Sequence, residues 1–103
     1  MKKFSVEISP QVQNDLLNAM EYYDAISKTI SLNLYIDFKK AIKTLTLNPY
    51  LQIRYVKVRC FPLRKFPFML HFAIDESKSV ILVYALMHTS KDPDQVWINF
   101  KKD

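Results

Sequence analysis

The chain has 103 residues, half of them apolar, and a formal net charge of +5. This length and composition predict one globular domain over residues 1–103 and exclude a disordered chain. The single cysteine, Cys60, excludes an intrachain disulfide, and with only two histidines we expect no metal site.

The N-terminal half predicts a strand and two helices. Residues 4–8 alternate apolar and polar side chains, as a half-buried strand does, and no signal-peptide core follows the first lysines. Ser9 and Pro10 favour a helix start, because a serine oxygen caps the first turn and proline loses no hydrogen bond there. Apolar side chains then recur every three or four residues over 10–27 and 29–48, which predicts an antiparallel helical hairpin.

The C-terminal half changes to strand patterns. Residues 53–59 predict a basic strand, and residues 60–63 a turn or bulge, because Pro62 cannot donate to a strand ladder. Two apolar runs, 66–74 and 79–87, flank a polar turn at 75–78 and predict adjacent antiparallel strands. The predicted class is α+β: an N-terminal strand, a two-helix hairpin and a three-stranded antiparallel sheet, in the order β-α-α-β-β-β.

Membrane association is not expected. The longest apolar runs are too short to span a bilayer. Together with the missing signal-peptide core, this predicts a cytoplasmic protein that does not bind membranes.

One long stretch of the chain is basic without compensating acids. Residues 38–74 carry eight Lys or Arg side chains and no Asp or Glu. A concentrated positive field attracts phosphates or an acidic protein surface, whereas scattered charges are a solvated face or protect an edge strand. We interpret the centre of this stretch as a surface that binds a target protein or nucleic acid, formed by Arg54, Lys57, Arg59, Arg64 and Lys65.

Three segments, in their order and spacing, carry a family resemblance. They lie at the first predicted helix, at the start of the long apolar strand and at the end of the last strand. The segments are Ser9-Pro10 with Asp15-Leu16 and Glu21-Tyr22-Tyr23, then Val58-Arg59 with Arg64-Lys65-Phe66-Pro67-Phe68, and finally Ala85-Leu86-Met87-His88-Thr89-Ser90-Lys91-Asp92-Pro93 ahead of Trp97. This arrangement resembles the RelE/ParE superfamily, the toxins of type II toxin–antitoxin modules.

The resemblance implies a β-α-α-β-β-β toxin that is neutralised by a cognate antitoxin and reaches operator DNA only through it. Within the superfamily, RelE-like toxins cleave mRNA in the ribosomal A site, whereas ParE-like toxins poison DNA gyrase. The two long predicted helices are similar to the ParE branch. We therefore favour the toxin of a plasmid stabilisation-like module that inhibits gyrase. The alternatives are a ribosome-dependent mRNA endoribonuclease and an inactive toxin-derived binding module.

The resemblance also bears on catalysis. Cleavage of RNA without a metal requires a proton carrier and a cation on the phosphate. Cleaving relatives have an arginine inside the strand that corresponds to residues 66–74, and this chain has Met69 there. We expect no enzymatic activity and no cofactor. If the chain is a ribonuclease, it is metal-independent and the candidate residues are His88, Arg59, Arg64, Lys65 and Lys91.

Several of these side chains have two interpretations. His88 can carry a proton near neutral pH, or it can only fix the turn after its strand. The expected antitoxin contacts are aromatic or basic side chains, which equally fit packing within the fold: Tyr22, Tyr23, Tyr35, Arg59 and Trp97. His71, inside an apolar strand, is interpreted as a core or sheet-face histidine, and Cys60 as a small buried side chain.

Overall fold

The computed structural model describes residues 4–89. Two helices and five strands follow one another along this part of the chain. They are β1 (Ser5–Ile8), α1 (Pro10–Asp24), α2 (Lys28–Leu47), β2 (Ile53–Tyr55), β3 (Val58–Pro62), β4 (Phe68–Asp75) and β5 (Val80–His88). The predicted α+β class and the helical hairpin are confirmed. Lys91 and Trp97 lie outside the described residues.

Serine side chains start both helices. The Ser9 hydroxyl accepts a hydrogen bond from the Val12 N–H (3.3 Å) and donates one to the Tyr84 carbonyl (3.2 Å). Ser9 therefore caps α1 and ties its first turn to β5. The Ser27 hydroxyl accepts from the Thr29 N–H at the start of α2. Because Ser27 begins the second helix, α1 ends at Asp24 and not at residue 27.

The strands form one five-stranded sheet in the order β1-β5-β4-β3-β2. β1 pairs in parallel with β5, and the other neighbours are antiparallel. The sheet therefore has five strands, where the sequence pattern predicted an N-terminal strand and three antiparallel ones. The difference arises because β1 joins the main sheet and because the predicted strand 53–59 is folded back on itself.

The turn at Val56 produces that fold-back. Val56 has a φ of 49°, which is strained for a β-branched residue, in a chain that has no glycine. The turn separates β2 from β3, and β3 extends through Cys60 to Pro62. The predicted turn over residues 60–63 is therefore wrong. Proline is tolerated in β3 because Pro62 is the last residue of the strand.

The helical hairpin covers one face of the sheet. Side chains from both helices and from the central strands are fully buried together, among them Val12, Leu34, Leu45, Leu70, Phe72 and Ile81. Cross-strand partners share a face, so Tyr55, Cys60 and His71 point away from this core onto what we call the second face. No helix among residues 4–89 has the length and apolar character needed to cross a membrane.

Candidate functional site

The basic loop, residues 63–67, joins β3 to β4 at one end of the sheet. The Leu63 N–H donates to the Phe68 carbonyl (2.9 Å), and the Phe68 N–H donates to the Phe66 carbonyl (2.8 Å). Between these bonds, the Arg64 and Lys65 side chains are exposed. The loop is therefore closed by its own backbone while its two cations face solvent.

The Asp37 carboxylate of α2 binds the backbone of the basic loop. Its carboxylate accepts hydrogen bonds from the Lys65 N–H (2.8 Å) and the Arg64 N–H (3.4 Å). Asp37 is only 5% exposed, so these bonds form in a shielded environment. A carboxylate bonded to backbone N–H groups makes charge-assisted hydrogen bonds, which are stronger than neutral ones. The helical hairpin thus fixes the path of the loop that carries Arg64 and Lys65.

Aromatic rings connect the basic loop to the tip of the hairpin. The Tyr23 ring lies edge-on to the Phe66 ring, with centroids 5.2 Å apart, and 6.4 Å from the Phe68 ring. The centroids of the Tyr22 and Tyr23 rings are 5.1 Å apart, and Tyr22 is 67% exposed. The Phe68 ring also contacts the His88 ring, at 5.5 Å. The ring contacts therefore run from the exposed Tyr22 to Phe66 of the basic loop and, through Phe68, to His88.

His88 lies at the same end of the sheet as the basic loop. Phe68 and His88 are cross-strand partners, and the next residue, Thr89, donates its N–H to the Pro67 carbonyl (2.9 Å). Met69, which the sequence resemblance aligns with an arginine of RNA-cleaving toxins, pairs with Met87. Of the ribonuclease candidates, the structure places Arg64, Lys65 and His88 at this end of the sheet.

Arg59 is directed elsewhere. It pairs across the sheet with the core residue Phe72 and is half-buried. Its Nε donates to the Leu51 carbonyl (2.6 Å), and its guanidinium lies 5.7 Å from the centre of the Tyr50 ring. Arg59 therefore anchors the segment that follows α2.

The remaining predicted basic residues do not join Arg64 and Lys65. Lys57 lies in the turn at the opposite end of β3, a strand of five residues and therefore roughly 17 Å long. Arg54 is exposed on the edge strand β2. The predicted five-residue surface is thus divided in the fold, and only its Arg64–Lys65 part adjoins His88.

The second face carries a group of side chains whose association was not predicted. The Tyr55 hydroxyl lies 2.8 Å from His71 Nδ1, and Cys60 Sγ lies 3.5 Å from the same nitrogen. His71 is 4% exposed, which confirms its interpretation as a buried histidine. Burial lowers the pKa of His71 to about 4, and the positive charge of Arg54 lowers it further. Strand alternation places Cys60 and His71 on one face, but the position of Tyr55 depended on the unpredicted turn.

This group does not form a metal site. Within residues 4–89, no three His, Cys, Asp or Glu side chains come together in a way that could hold a metal ion. Burial also raises the pKa of Tyr55 and of Cys60, so both side chains favour their neutral forms. The group therefore consists of two neutral side chains beside one imidazole nitrogen.

The Cys60 thiol is therefore expected to react slowly. It is 8% exposed, and burial raises its pKa although Arg54 opposes the shift. Because the thiolate is the nucleophile, labelling by a disulfide reagent at pH 7.5 should be at least about tenfold slower in the folded protein than in denaturant. A Cys60→Ser, Ser77→Cys variant, with its cysteine in an exposed turn, is the control and should label equally fast in both conditions. Equal rates for native Cys60 would contradict the prediction.

Comparison with known proteins finds solved structures that are similar to this chain. No family model matches the sequence. No curated protein matches it either. A chain from the chromosomal ParDE toxin–antitoxin system of P. aeruginosa is similar with a TM-score of 0.73 and 18% identity, over 84% of this chain and 96% of that chain. A chain from the toxin–antitoxin complex RelBE2 of Mycobacterium tuberculosis is similar with a TM-score of 0.56 and 15% identity, over 84% of this chain and 99% of that chain.

These likenesses agree with the resemblance that the sequence motifs carry. At such low identities they concern the fold, and the ParDE chain matches it better than the RelBE2 chain does. The chain therefore has the RelE/ParE fold.

Proposed function

We propose that this chain is the toxin of a type II toxin–antitoxin module and that it acts by binding DNA gyrase. The observation that carries the proposal is a basic loop whose backbone is hydrogen-bonded to Asp37 and which contacts a pair of tyrosines. The Asp37 carboxylate accepts hydrogen bonds from the backbone of Arg64 and Lys65. Tyr23 contacts Phe66 of the same loop, and Tyr22 contacts Tyr23. Arginine and tyrosine are the side chains that most often dominate protein–protein interfaces, and a preformed loop loses little entropy on binding.

The arrangement favours binding over RNA cleavage. Metal-free cleavage requires a proton carrier with cations aimed at the same phosphate. Arg59 already contacts the Leu51 carbonyl and the Tyr50 ring. The family resemblance aligns Met69 with an arginine of RNA-cleaving toxins, and methionine carries no charge for a phosphate. The proposed module is of the plasmid-stabilisation type, and its toxin acts in the cytoplasm, where gyrase is found.

A cognate antitoxin is the second proposed partner. Its apolar side chains would cover Tyr22 and Tyr23 at the tip of the hairpin, and its acids would meet Arg64 and Lys65. Such a hydrophobic anchor with a charged rim gives both affinity and fast association. Operator DNA would be reached only through the antitoxin. Arg59, Tyr35 and Trp97 remain predicted antitoxin contacts, although Arg59 and Tyr35 lie away from the basic loop.

The test is inhibition of supercoiling by purified gyrase. Arg64→Glu should weaken inhibition at least about tenfold, because reversing the charge of an interface arginine removes an anchor and adds repulsion. The control is Lys78→Glu, an equal charge change at an exposed position of the turn between β4 and β5. In cells without the antitoxin, induction should cause filamentation and the SOS response before translation stops. Equal inhibition by the two variants would contradict a role for the basic loop.

The ribonuclease alternative is kept because His88 lies at the same end of the sheet as Arg64 and Lys65. Mapping of mRNA ends on stalled ribosomes distinguishes the two functions. If the native chain produces cuts in phase with codons and His88→Ala does not, the chain is a ribonuclease and the gyrase proposal is wrong. A chain that neither inhibits gyrase nor cuts mRNA, but still binds its antitoxin, would be an inactive binding module.

A further inference from the structure

The last part of β5 continues beyond the strand that flanks it. β1 pairs with β5 only as far as Ile8 and Val83, whereas β5 continues to His88. Among residues 4–89, no strand lies beside β5 on this side after Val83. Backbone N–H and C=O groups that are shielded from water need hydrogen-bond partners. The end of β5 therefore depends on a neighbour that is not a strand.

Helix α1 and its cap provide that neighbour. The Ser9 N–H donates to the Val83 carbonyl (3.1 Å), and the Ser9 hydroxyl donates to the Tyr84 carbonyl (3.2 Å). Six residues later along the chain, the Asp15 carboxylate accepts a hydrogen bond from the Leu86 N–H (3.1 Å). Side chains of α1 and its cap thus continue the hydrogen bonding of β5 where β1 ends.

Both oxygens of the Asp15 carboxylate accept hydrogen bonds. One accepts the Leu86 N–H, and the other accepts Nε2 of Gln11, one turn earlier in α1 (2.7 Å). Asp15 is half-buried and directly precedes the buried Leu16, so it lies beside the helix face that packs on the sheet. Hydrogen bonds to a carboxylate are stronger than neutral ones. A local role within α1 explains the contact with Gln11 and leaves the contact with Leu86 unexplained.

The strand segment that Asp15 binds leads directly to the candidate site. His88 follows Leu86 by two residues, and its ring contacts the Phe68 ring at 5.5 Å. The next N–H, that of Thr89, donates to the Pro67 carbonyl of the basic loop (2.9 Å). A displacement of the backbone at Leu86 would therefore change both contacts.

We propose that Asp15 is a positioning residue that holds the end of β5, and with it His88, against the basic loop. Asp37 binds the backbone of the same loop from α2, so each helix contributes one carboxylate to this end of the sheet. Loss of Asp15 leaves the exposed side chains of the site in place but lets their β5 side move, so ordering on binding costs more entropy. The effect on the target rests on the proposed function, whereas the positioning itself does not.

Amide hydrogen exchange tests the positioning. In Asp15→Ala, exchange at Leu86 and Thr89 should become at least about tenfold faster than in the native chain, relative to the change at Ala41. Ala41 lies inside α2 and is 5% exposed, so its exchange follows unfolding of the whole domain. A residue that supports only overall stability would change all three rates by the same factor.

Two matched variants separate the contact with β5 from the contact within α1. Asp15→Asn keeps an oxygen for the Leu86 N–H and should restore slow exchange. Gln11→Ala removes only the bond within the helix and should exchange as the native chain does. The NMR shifts of the His88 ring protons give a second measurement, because the neighbouring Phe68 ring displaces them. They should move towards the values of the unfolded chain in Asp15→Ala and stay native in the other two variants.

Gyrase inhibition links the positioning to the target. The concentration of Asp15→Ala that inhibits supercoiling by half should be at least about fivefold higher than that of the native chain, at a temperature at which the variant is folded. Asp15→Asn should restore inhibition. Native inhibition by Asp15→Ala, despite fast exchange at Thr89, would overturn the contribution of Asp15 to binding.

The exchange data can also overturn the proposal by themselves. Equal acceleration at Leu86, Thr89 and Ala41 would show that Asp15 supports only the stability of the domain. Acceleration at Leu86 alone, with native His88 shifts, would show that the end of β5 is held by other contacts. If the native chain does not inhibit gyrase, the proposed function is wrong, and the exchange rates and His88 shifts still decide whether Asp15 positions the strand.

Discussion

Replacing Asp37 by alanine should lower the free energy of unfolding by about 2–4 kcal/mol and release the basic loop. The native carboxylate accepts the N–H groups of Arg64 and Lys65, and it is 5% exposed. Alanine leaves both donors without their acceptor, and an unsatisfied buried donor costs about 1–3 kcal/mol. Urea unfolding gives the free energy, and amide hydrogen exchange at Arg64 and Lys65 reports the opening of the loop.

Two further variants give this experiment its controls. Asp24→Ala removes an exposed carboxylate that accepts one hydrogen bond from the Ser31 hydroxyl (2.7 Å), and it should cost about 1 kcal/mol. Asp37→Asn keeps one carbonyl oxygen for the Lys65 N–H. Its free energy of unfolding should therefore lie between that of the native chain and that of Asp37→Ala. An unfolding free energy of Asp37→Ala equal to that of Asp24→Ala, with unchanged exchange in the loop, would show that Asp37 does not position it.

The same substitution connects stability to the proposed function. Asp37→Ala leaves Arg64 and Lys65 in place but allows their backbone to move, so the loss of entropy on binding increases. Gyrase inhibition should then weaken at a temperature at which the variant is still folded. If inhibition is unchanged while the loop exchanges rapidly, the rigidity of the loop does not contribute to binding.

Asp37 also illustrates what the sequence could have predicted. It lies three positions after Leu34 and four before Ala41, on the buried stripe of α2. An acid inside an apolar stripe is a signal for a buried carboxylate that satisfies backbone donors. Its partners, Arg64 and Lys65, are 27 and 28 residues away, and nothing local indicates that pairing.

The prediction of the fold was correct where the sequence signal is local, and it was incomplete where the fold depends on distant residues. Ser9 and Pro10 mark the start of α1, and the apolar periods mark the buried faces of both helices. The parallel pairing of β1 with β5 joins residues 75 positions apart, so no neighbouring sequence encodes it. The turn at Val56 lacks the Gly, Asn or Asp that usually identifies a hairpin turn. The division of the basic stretch followed from that missed turn.

A second large effect is expected when the pH falls below 6.5, because His71 must remain neutral in the fold. Its Nδ1 lies 2.8 Å from the Tyr55 hydroxyl, and a neutral Nδ1 can accept a hydrogen bond from that hydroxyl, whereas a protonated Nδ1 can only donate one. Burial, and then the nearby Arg54 charge, lowers the pKa of His71 from 6.5 to about 4. The buried imidazolium therefore loses its hydration and lies near a positive charge, and these two effects oppose protonation of His71 in the fold.

The sign of the pH dependence follows from the two states. Between pH 6.5 and 4 the unfolded chain binds a proton at His71 and the folded chain does not, so the free energy of unfolding falls as the pH falls. The contribution of neutral His71 to the free energy of unfolding is complete above pH 6.5 and is lost as the pH approaches 4. A difference of this size in pKa corresponds to about 3 kcal/mol.

His71→Gln isolates this contribution, because glutamine does not titrate. Urea unfolding from pH 7 to pH 4 should show the native chain losing about 3 kcal/mol more than His71→Gln. His88→Gln is the matched control: it removes the other histidine of the chain, which is exposed, and should keep the native loss. The three proteins have the same carboxylates, so the contribution of these groups to the comparison cancels. If His88→Gln flattens the pH profile and His71→Gln does not, the buried Tyr55–His71 contact is not the source of the acid sensitivity.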